Sequence, residues 1–195
     1  MKTLLLFSGG MDSSYLLHKL TQQINNPSKK SSNVIKEVIC LFFNYQQPHA
    51  KKELFAAKQI AKIYEAKLII EELAFKFLVK DMKKSPVIFN RNMIFLALAG
   101  AIAKKNECGS IHIGCTKSDF ETFSDCRPLF LREMNDAMLI SIGIHVVAPL
   151  VGITKKEIVE KNNDVPWHLT WSCYAGNSEP CGDCLACKER IAASV

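Results

Sequence analysis

The chain has 195 residues, of which 48% are hydrophobic and 23% charged, and its formal net charge at pH 7 is +6. This composition is that of a globular protein with one sizeable core, and it excludes a predominantly disordered chain. The apolar run at the start stops at Ser8, and no stretch approaches the roughly 18 apolar residues of a membrane span. We therefore expect a cytoplasmic protein. Its lysines are spread in pairs, which favours a solvated surface over a nucleic-acid-binding face.

Strand-like and helix-like segments alternate along the chain. Five short apolar segments are typical of strands covered on both faces, at residues 2–7, 37–44, 67–73, 110–115 and 145–150. Apolar residues at helical spacing predict helices at residues 13–24, 48–64, 91–105 and 128–141. The alternation predicts an α/β fold with a doubly wound, mainly parallel five-stranded sheet, which binds ligands at the carboxyl ends of its strands.

The first strand leads directly into the segment SGGMDSS at residues 8–14. Glycines let the backbone turn tightly beside a ligand, and the free amides of a first helical turn bind an anion. A carboxylate here, Asp12, suits a magnesium ion or a helix cap. The segment matches neither the Walker A motif nor the dinucleotide GxGxxG motif. An ordinary turn capped by Asp12 or Ser13 is the alternative interpretation.

A second helix start with free amides is predicted after the fifth strand. Thr154 and Glu157 form a capping box, and Lys155 lies in the first turn that follows. Lysine is a poor partner for a helix N-terminus unless an anion lies between them. Lys155 is therefore a candidate phosphate ligand, and an ordinary surface lysine is the alternative.

Four of the eight cysteines are concentrated near the end of the chain: Cys181, Cys184 and Cys187 form two consecutive CxxC steps, and Cys173 precedes them. Since we expect a reducing compartment, this spacing predicts one tetrahedral zinc ion, with an iron–sulfur cluster as the competitor and His168 as a nearby alternative ligand. The segment has little apolar content, so metal should supply much of its folding free energy. We accordingly divide the chain into a main domain, 1–164, and a zinc-binding tail, 165–195.

The loop at residues 8–14 resembles the SGGxDS signature of the PP-loop ATP pyrophosphatases. Within that class, the order of several further stretches resembles the 7-cyano-7-deazaguanine synthases of the queuosine pathway. The matching stretches are FSGGMDSS at 7–14, the Tyr45, Gln47 and His49 pattern followed by Glu53, Arg91-Asn92, Asp119-Phe120, Asp125-Cys126-Arg127-Pro128, Thr154-Lys155, TWSCY at 170–174 and CGDCLAC at 181–187.

The resemblance implies an ATP-dependent C–N ligase. ATP with Mg²⁺ would adenylate 7-carboxy-7-deazaguanine, and ammonia would displace AMP to give an amide. A second activation would then convert the amide to 7-cyano-7-deazaguanine, and each activation would release AMP and pyrophosphate. Adenylation is needed because a carboxylate is a poor acyl donor, whereas an acyl phosphate has a good leaving group.

The resemblance also implies roles for individual residues. The nucleotide would be held by Phe7, Ser8, Gly9, Gly10, Met11, Asp12, Ser13 and Ser14. The catalytic candidates are Asp12, Arg91 and Lys155. The substrate-binding candidates are Arg91, Asn92, Asp119, Asp125 and Arg127, since carboxylates suit the N–H donors of the ring and a guanidinium suits its carboxylate.

Two departures from the family pattern leave alternatives open. The segment before Arg91 is compact, and residues 45–47 read YQQ where the family has YGQ. The enzyme could stop at the amide or act on another carboxylate. A tRNA sulfurtransferase using Cys115 or Cys126, and a zinc-dependent nucleic-acid-binding module, are further alternatives. The expected partners are a 7-deazapurine and ammonia, with no membrane or nucleic acid. The ammonia source and the oligomeric state, a homodimer included, stay open.

Overall fold

The fold was analysed in a computed structural model that describes residues 1–26, 34–74 and 87–195. Its sheet has five strands in the order β3-β2-β1-β4-β5, and each neighbouring pair is parallel. The strands are β1 (Lys2–Leu6), β2 (Glu37–Asn44), β3 (Lys67–Glu72), β4 (Cys108–His112) and β5 (His145–Val147). The predicted doubly wound α/β fold with a five-stranded parallel sheet is therefore confirmed.

Helices cover both faces of this sheet. They are α1 (Met11–Asn25), α2 (Ala50–Ile63), α3 (Arg91–Lys105), α4 (Pro128–Ile142), α5 (Lys155–Glu160) and α6 (Leu185–Ala192). Short 3₁₀ helices lie at Lys117–Asp119, Ser124–Cys126 and Trp167–Leu169. Thr154 caps α5 through the predicted capping box with Glu157. None of the helices in the described ranges is long and apolar enough to cross a membrane.

Successive residues of the central strands enter two different hydrophobic clusters. Leu4 packs with residues of α3 and α4 on one face, whereas the adjacent Leu5 packs with residues of α1 and α2 on the other. Both leucines are fully buried. This two-sided burial explains why the strands are apolar along their length instead of alternating with polar residues.

Two strands differ from their predicted limits by more than one residue, whereas β1 and β3 end one residue early. The strand predicted at 110–115 begins instead at Cys108, directly after a turn in which Glu107 has a φ of 60°. The strand predicted at 145–150 ends at Val147, two residues before Pro149, which lacks the N–H that the ladder would need. Most of the polar segment 25–33 and of the compact segment 76–90 lies outside the described residues.

The strand order reverses beside β1. The chain passes from β1 outward through β2 to β3, and then returns to place β4 on the other side of β1. The connections on the two sides of this point leave the sheet over opposite faces. They open a crevice at the carboxyl ends of β1 and β4, which is the usual ligand site of such sheets.

Candidate active site and metal centre

A cavity opens at the carboxyl ends of β1, β2 and β4. Its walls come from the loop after β1, the turn into α2, the start of α3, the segment after β4, α5 and the cysteine-rich tail. The described polar residues that line it include Ser8, Asp12, Ser13, Tyr45, Gln47, His49, Glu53, Arg91, Asn92, Asp119, Lys155, Ser172, Tyr174 and Glu189. The structure thus brings together residues that are more than 170 positions apart in the sequence.

The loop after β1 packs tightly against α2. Gly9 has a φ of 74°, and a Cβ placed on it would lie 2.6 Å from the Ala57 backbone nitrogen, so this position needs glycine. The Gly10 N–H donates to Ser8 Oγ over 3.2 Å. Gly10, the residue before α1, has no capping side chain. The alternative of a turn capped by Asp12 or Ser13 is therefore not what the structure shows, and the first amides of α1 are left for a ligand.

Two buried oxygens at this loop have no hydrogen-bond partner among the described residues: Asp12 Oδ1 and Ser14 Oγ. Leaving a buried polar atom unpaired costs about 1–3 kcal/mol. A bound group that supplies partners would remove this cost, and a metal–phosphate complex is of that kind. These two oxygens and the free amides of α1 are therefore available to a bound group.

Lys155 lies at the centre of a four-residue ionic cluster. Its Nζ atom is 2.6 Å from Glu189 Oε2, 3.2 Å from Asp119 Oδ1 and 3.6 Å from Asp12 Oδ2. Burial alone would lower the pKa of Lys155, but the three carboxylates outweigh it and raise the pKa. Lys155 is thus held in its charged form beside the loop. The ordinary surface lysine that the sequence left as an alternative is excluded, since only 13% of its side chain is exposed.

The surroundings of Asp12 in this cluster shift the pKa of its carboxyl group. Burial raises its pKa from 3.8 to about 7, against the lowering effect of Lys155 and with a further rise from Asp119 and Glu189. At neutral pH, the folded protein therefore keeps a proton that the unfolded chain has already released. Ionisation of Asp12 thus opposes folding, and this penalty grows between pH 4 and pH 7.

We expect Asp12→Asn to stabilise the ligand-free protein by about 2 kcal/mol at pH 8 and by less at pH 5. The reason is that an amide needs no deprotonation in this buried position. Thermal melting at the two pH values would measure the effect. The control is Asp119→Asn, which should destabilise the protein, because Asp119 Oδ2 accepts two 2.8 Å hydrogen bonds from the Thr116 N–H and hydroxyl. Equal melting temperatures of wild type and Asp12→Asn at pH 8 would contradict the prediction.

The cavity is also lined by Arg91, the first residue of α3. Its Nη1 donates to Tyr45 Oη over 3.4 Å, and Tyr174 from the tail lines the same cavity. Burial alone would lower the pKa of Arg91, but its interactions with Tyr45 and Tyr174 raise it. Burial raises the pKa of both tyrosines, so they stay neutral. A fixed positive charge beside neutral phenols suits a carboxylate on an aromatic ligand.

Glu53, on the first turn of α2, also lines the cavity. Its Oε2 accepts from Gln47 Nε2 over 2.8 Å, and its Oε1 lies 3.6 Å from His49 Nε2. The other ring nitrogen of His49 is 3.1 Å from the Tyr174 carbonyl oxygen. Burial raises the pKa of Glu53. These residues are in the stretch that carried the family resemblance, but no role was predicted for them.

The remaining substrate candidates are not all in the cavity wall. Asn92 lines it, and its backbone N–H donates to Asp125 Oδ2 over 2.8 Å, so Asp125 anchors the start of α3. Arg127 is exposed and donates to the Phe120 carbonyl oxygen. Neither Asp125 nor Arg127 is among the described residues that line the cavity. A direct substrate contact of these two stays a prediction.

Cys115 and Cys126 both line the cavity and are buried. Asn92 Nδ2 lies 3.3 Å from Cys126 Sγ. The interaction with the Cys126 thiol, together with burial, raises the pKa of Cys115 well above its usual value. A persulfide-carrying nucleophile needs a lowered thiol pKa and exposure, so the pair does not have the chemistry of a sulfur carrier.

The four tail cysteines converge on one point. Their sulfur atoms all lie within 4.8 Å of one another, and Cys181 Sγ is 3.9 Å from Cys187 Sγ. Backbone N–H groups of Ala175 and Cys181 donate to Cys173 Sγ over 3.4 and 3.3 Å. Such donors stabilise thiolate charge. The cluster has the donor set and the spacing of a metal centre.

The metal centre is built against the cavity. The Trp171 N–H donates to the Gly9 carbonyl oxygen over 3.1 Å. Gly176 has a φ of 70°, and a Cβ on it would overlap the Pro48 carbonyl oxygen just before α2. The helix α6, which carries Cys187, also presents Glu189 to Lys155. The TWSCY stretch at residues 170–174 indicated that the tail contributes to the site, but no motif pointed to Glu189.

Comparison with known proteins gives one family. The protein-family model described as queuosine biosynthesis protein QueC matches residues 2–86 and 72–194. Relatives named 7-cyano-7-deazaguanine synthase include those of Hahella chejuensis and Archaeoglobus fulgidus. The first is 34% identical and the match covers 96% of this chain and 86% of the relative. The second is 32% identical, with 99% and 85% covered.

Two solved structures share the fold. The U34-tRNA thiolase NcsA of Methanococcus maripaludis, solved with its [4Fe-4S] cluster, has a TM-score of 0.62 at 14% identity, covering all of this chain and 63% of the thiolase. A predicted tRNA methyltransferase subunit of Methanocaldococcus jannaschii has a TM-score of 0.56 at 18% identity, with 83% of this chain and 73% of the other covered. At these identities the likeness concerns the fold alone.

Proposed function

This chain belongs to the queuosine biosynthesis protein QueC family, and from that premise we propose that it converts 7-carboxy-7-deazaguanine and ammonia to 7-cyano-7-deazaguanine. The reaction would consume two ATP and release AMP and pyrophosphate each time. The observation that carries the proposal is the cavity itself. It is lined by a phosphate-type loop with Lys155 and by the half-buried cation Arg91, which contacts Tyr45.

The side formed by residues 8–14 and Lys155 suits the triphosphate. The amides of α1 would receive phosphate oxygens, and Asp12 Oδ1 would face Mg²⁺ bound to ATP. Lys155 would neutralise the charge that develops when the bond between the α and β phosphates breaks. Asp119 and Glu189 hold the lysine for this role.

The side formed by Arg91 suits the deazapurine. Its guanidinium would bind the substrate carboxylate and direct it toward the α-phosphorus, while Tyr45 and Tyr174 would flank the ring. The carboxylate oxygen attacks phosphorus and forms the acyl adenylate. Holding both reactants in one crevice supplies proximity, which is a large part of the catalysis of such a step.

For the tail we propose a structural Zn²⁺ on Cys173, Cys181, Cys184 and Cys187. A tetrahedral zinc site with zinc–sulfur bonds of about 2.3 Å has sulfur atoms about 3.8 Å apart, which agrees with the 3.9 Å between Cys181 and Cys187. An iron–sulfur cubane places four iron atoms among the ligand sulfurs and needs a wider cage than 4.8 Å. A colourless protein with one zinc per chain would support this, and a brown, iron-containing protein would refute it.

The zinc-binding tail, proposed as residues 165–195, is also a functional part of the site. Trp171, Tyr174 and Glu189 all line the cavity. The metal would act by fixing these residues in place and would take no part in the chemistry. Small molecules, namely the deazapurine and ammonia, would therefore be the partners of this site.

The decisive experiment is mass spectrometry of the products after incubation of the zinc-loaded protein with ATP, magnesium, ammonium and 7-carboxy-7-deazaguanine. We expect the nitrile, with AMP and pyrophosphate. The amide alone would show an enzyme that stops halfway. An untouched deazapurine and no AMP would refute the proposed function and direct the search to other carboxylates.

A further inference from the structure

Four carboxylates line the cavity in the part of the chain that the structure describes: Asp12, Glu53, Asp119 and Glu189. Three of them surround Lys155. Glu53 is the fourth, and its neighbours are the uncharged Gln47 amide and the His49 ring. Its side chain is 16% exposed, so it is both sheltered and reachable from the cavity. The ATP side of the reaction does not use it.

The proposed reaction contains steps that need a base near the substrate carboxyl carbon. Ammonia is carried in neutral water as ammonium, which has no free electron pair and cannot attack. After the attack, the nitrogen must lose another proton. In the second half, the amide nitrogen gives up both of its protons before the nitrile can form. All of these protons leave the same nitrogen atom, so one base can serve both halves.

We propose, on the basis of the proposed function, that Glu53 binds ammonium in this cavity and acts as the general base for both halves of the reaction. His49 and Gln47 position its carboxylate. Glu53 lines the same cavity as the loop after β1 and Arg91. The charge of Arg91 also acts on its carboxylate.

The surroundings of Glu53 suit this task. Burial acts against the charged form of Glu53, whereas His49 just before α2, Gln47 and Arg91 from α3 favour it. Burial dominates, and the pKa is raised. A base whose pKa is closer to neutrality accepts a proton more effectively than an ordinary glutamate. A carboxylate is also the natural partner of an ammonium ion.

Glu53 takes a proton from ammonium, and the ammonia formed attacks the acyl adenylate. A C–N bond forms, the C–O bond to AMP breaks, and the nitrogen releases a second proton to leave the neutral amide. In the second half, the amide oxygen attacks the α-phosphorus of ATP and pyrophosphate leaves. The nitrogen then loses two protons, the C–O bond to AMP breaks with its electron pair, and the nitrile forms. Glu53 passes each proton to water.

The test is Glu53→Gln, assayed in separate half-reactions. Carboxylate-dependent exchange of pyrophosphate into ATP, without ammonium, reports adenylation and an intact site, and we expect it to stay within about twofold. Amide formation from ammonium should fall by about 100-fold, the lower range of general base catalysis. Hydroxylamine is neutral at pH 7 and needs no prior deprotonation, so hydroxamate formation should be far less affected. Glu65→Gln, the same change at an exposed position, should behave as wild type.

Three results would count against the assignment. Amide formation from ammonium at the wild-type rate would overturn it. An equal loss with hydroxylamine and ammonium would show that Glu53 does not act by deprotonating ammonium, which contradicts its assignment as the ammonium-binding base. If Glu53→Gln also lost pyrophosphate exchange, Glu53→Asp, which keeps a carboxylate, would have to retain exchange and regain ammonium use, or the assignment fails. Absence of exchange in the wild type would instead refute the proposed function.

Discussion

Replacing Lys155 with methionine should lower the rate of AMP formation by about 10³-fold, the effect of removing a group that stabilises transition-state charge. Among the described residues that line the cavity, Lys155 is the only lysine. Methionine keeps the length of the side chain and removes the charge that would face the phosphates. Pyrophosphate exchange and AMP release, both in the presence of the deazapurine, would measure the loss.

The control for this change is Lys156→Met. Lys156 is the next residue, 66% exposed, and paired with Glu160 in the same helix. It should keep the wild-type rate. Since Lys155→Met also leaves Asp12, Asp119 and Glu189 without their cation, it should reduce stability by about 3 kcal/mol. Adding Glu189→Gln should restore part of the stability without activity. A double variant that regained activity would show that the lysine only balances charge.

Replacing Cys181 with serine should abolish stoichiometric metal binding and, with it, most of the activity. Three remaining thiolates no longer close a tetrahedral site, and the folding free energy of a small metal centre comes largely from the metal. The loss extends to the cavity, because α6 carries both Cys187 and Glu189. Metal analysis of the purified protein and limited proteolysis of residues 165–195 would measure it.

Cys108→Ser is the matched control. Cys108 is a buried free cysteine at the start of β4, outside the tail. This variant should keep one metal ion per chain and wild-type resistance of the tail to protease. Full metal content in Cys181→Ser would show that the four sulfurs do not share one ion.

The architecture could be predicted because the sequence patterns that determine it lie in short stretches of the chain. β2 and α3 begin and end where the apolar pattern predicts them. The loop at 8–14 follows β1, and the capping box of Thr154 starts α5, as predicted. The convergence of the four cysteine sulfurs also follows from short spacing. Each of these features depends on residues that lie close together in the sequence.

The contacts across the cavity could not be predicted in the same way. Glu189 and Lys155 are separated by 34 residues, and their contact depends on how α6 docks onto the main domain. The hydrogen bond from the Asn92 N–H to Asp125 Oδ2 likewise joins residues 33 positions apart. Spacing in the sequence shows that a carboxylate is present. Which donor forms a hydrogen bond with it is determined by tertiary packing.

The position of β1 in the sheet has a consequence for how the chain folds. Thr3 on β1 contacts Ser110 on β4 across a sequence separation of 107 residues. During synthesis, β1 can pair with β2 soon after both emerge, but its other edge stays open until β4 has been made. Parallel pairing over such distances is slow and exposes unpaired edges to other chains. Nascent chains that stall before residue 108 should therefore aggregate, and the finished protein should refold more slowly than a helical protein of its size.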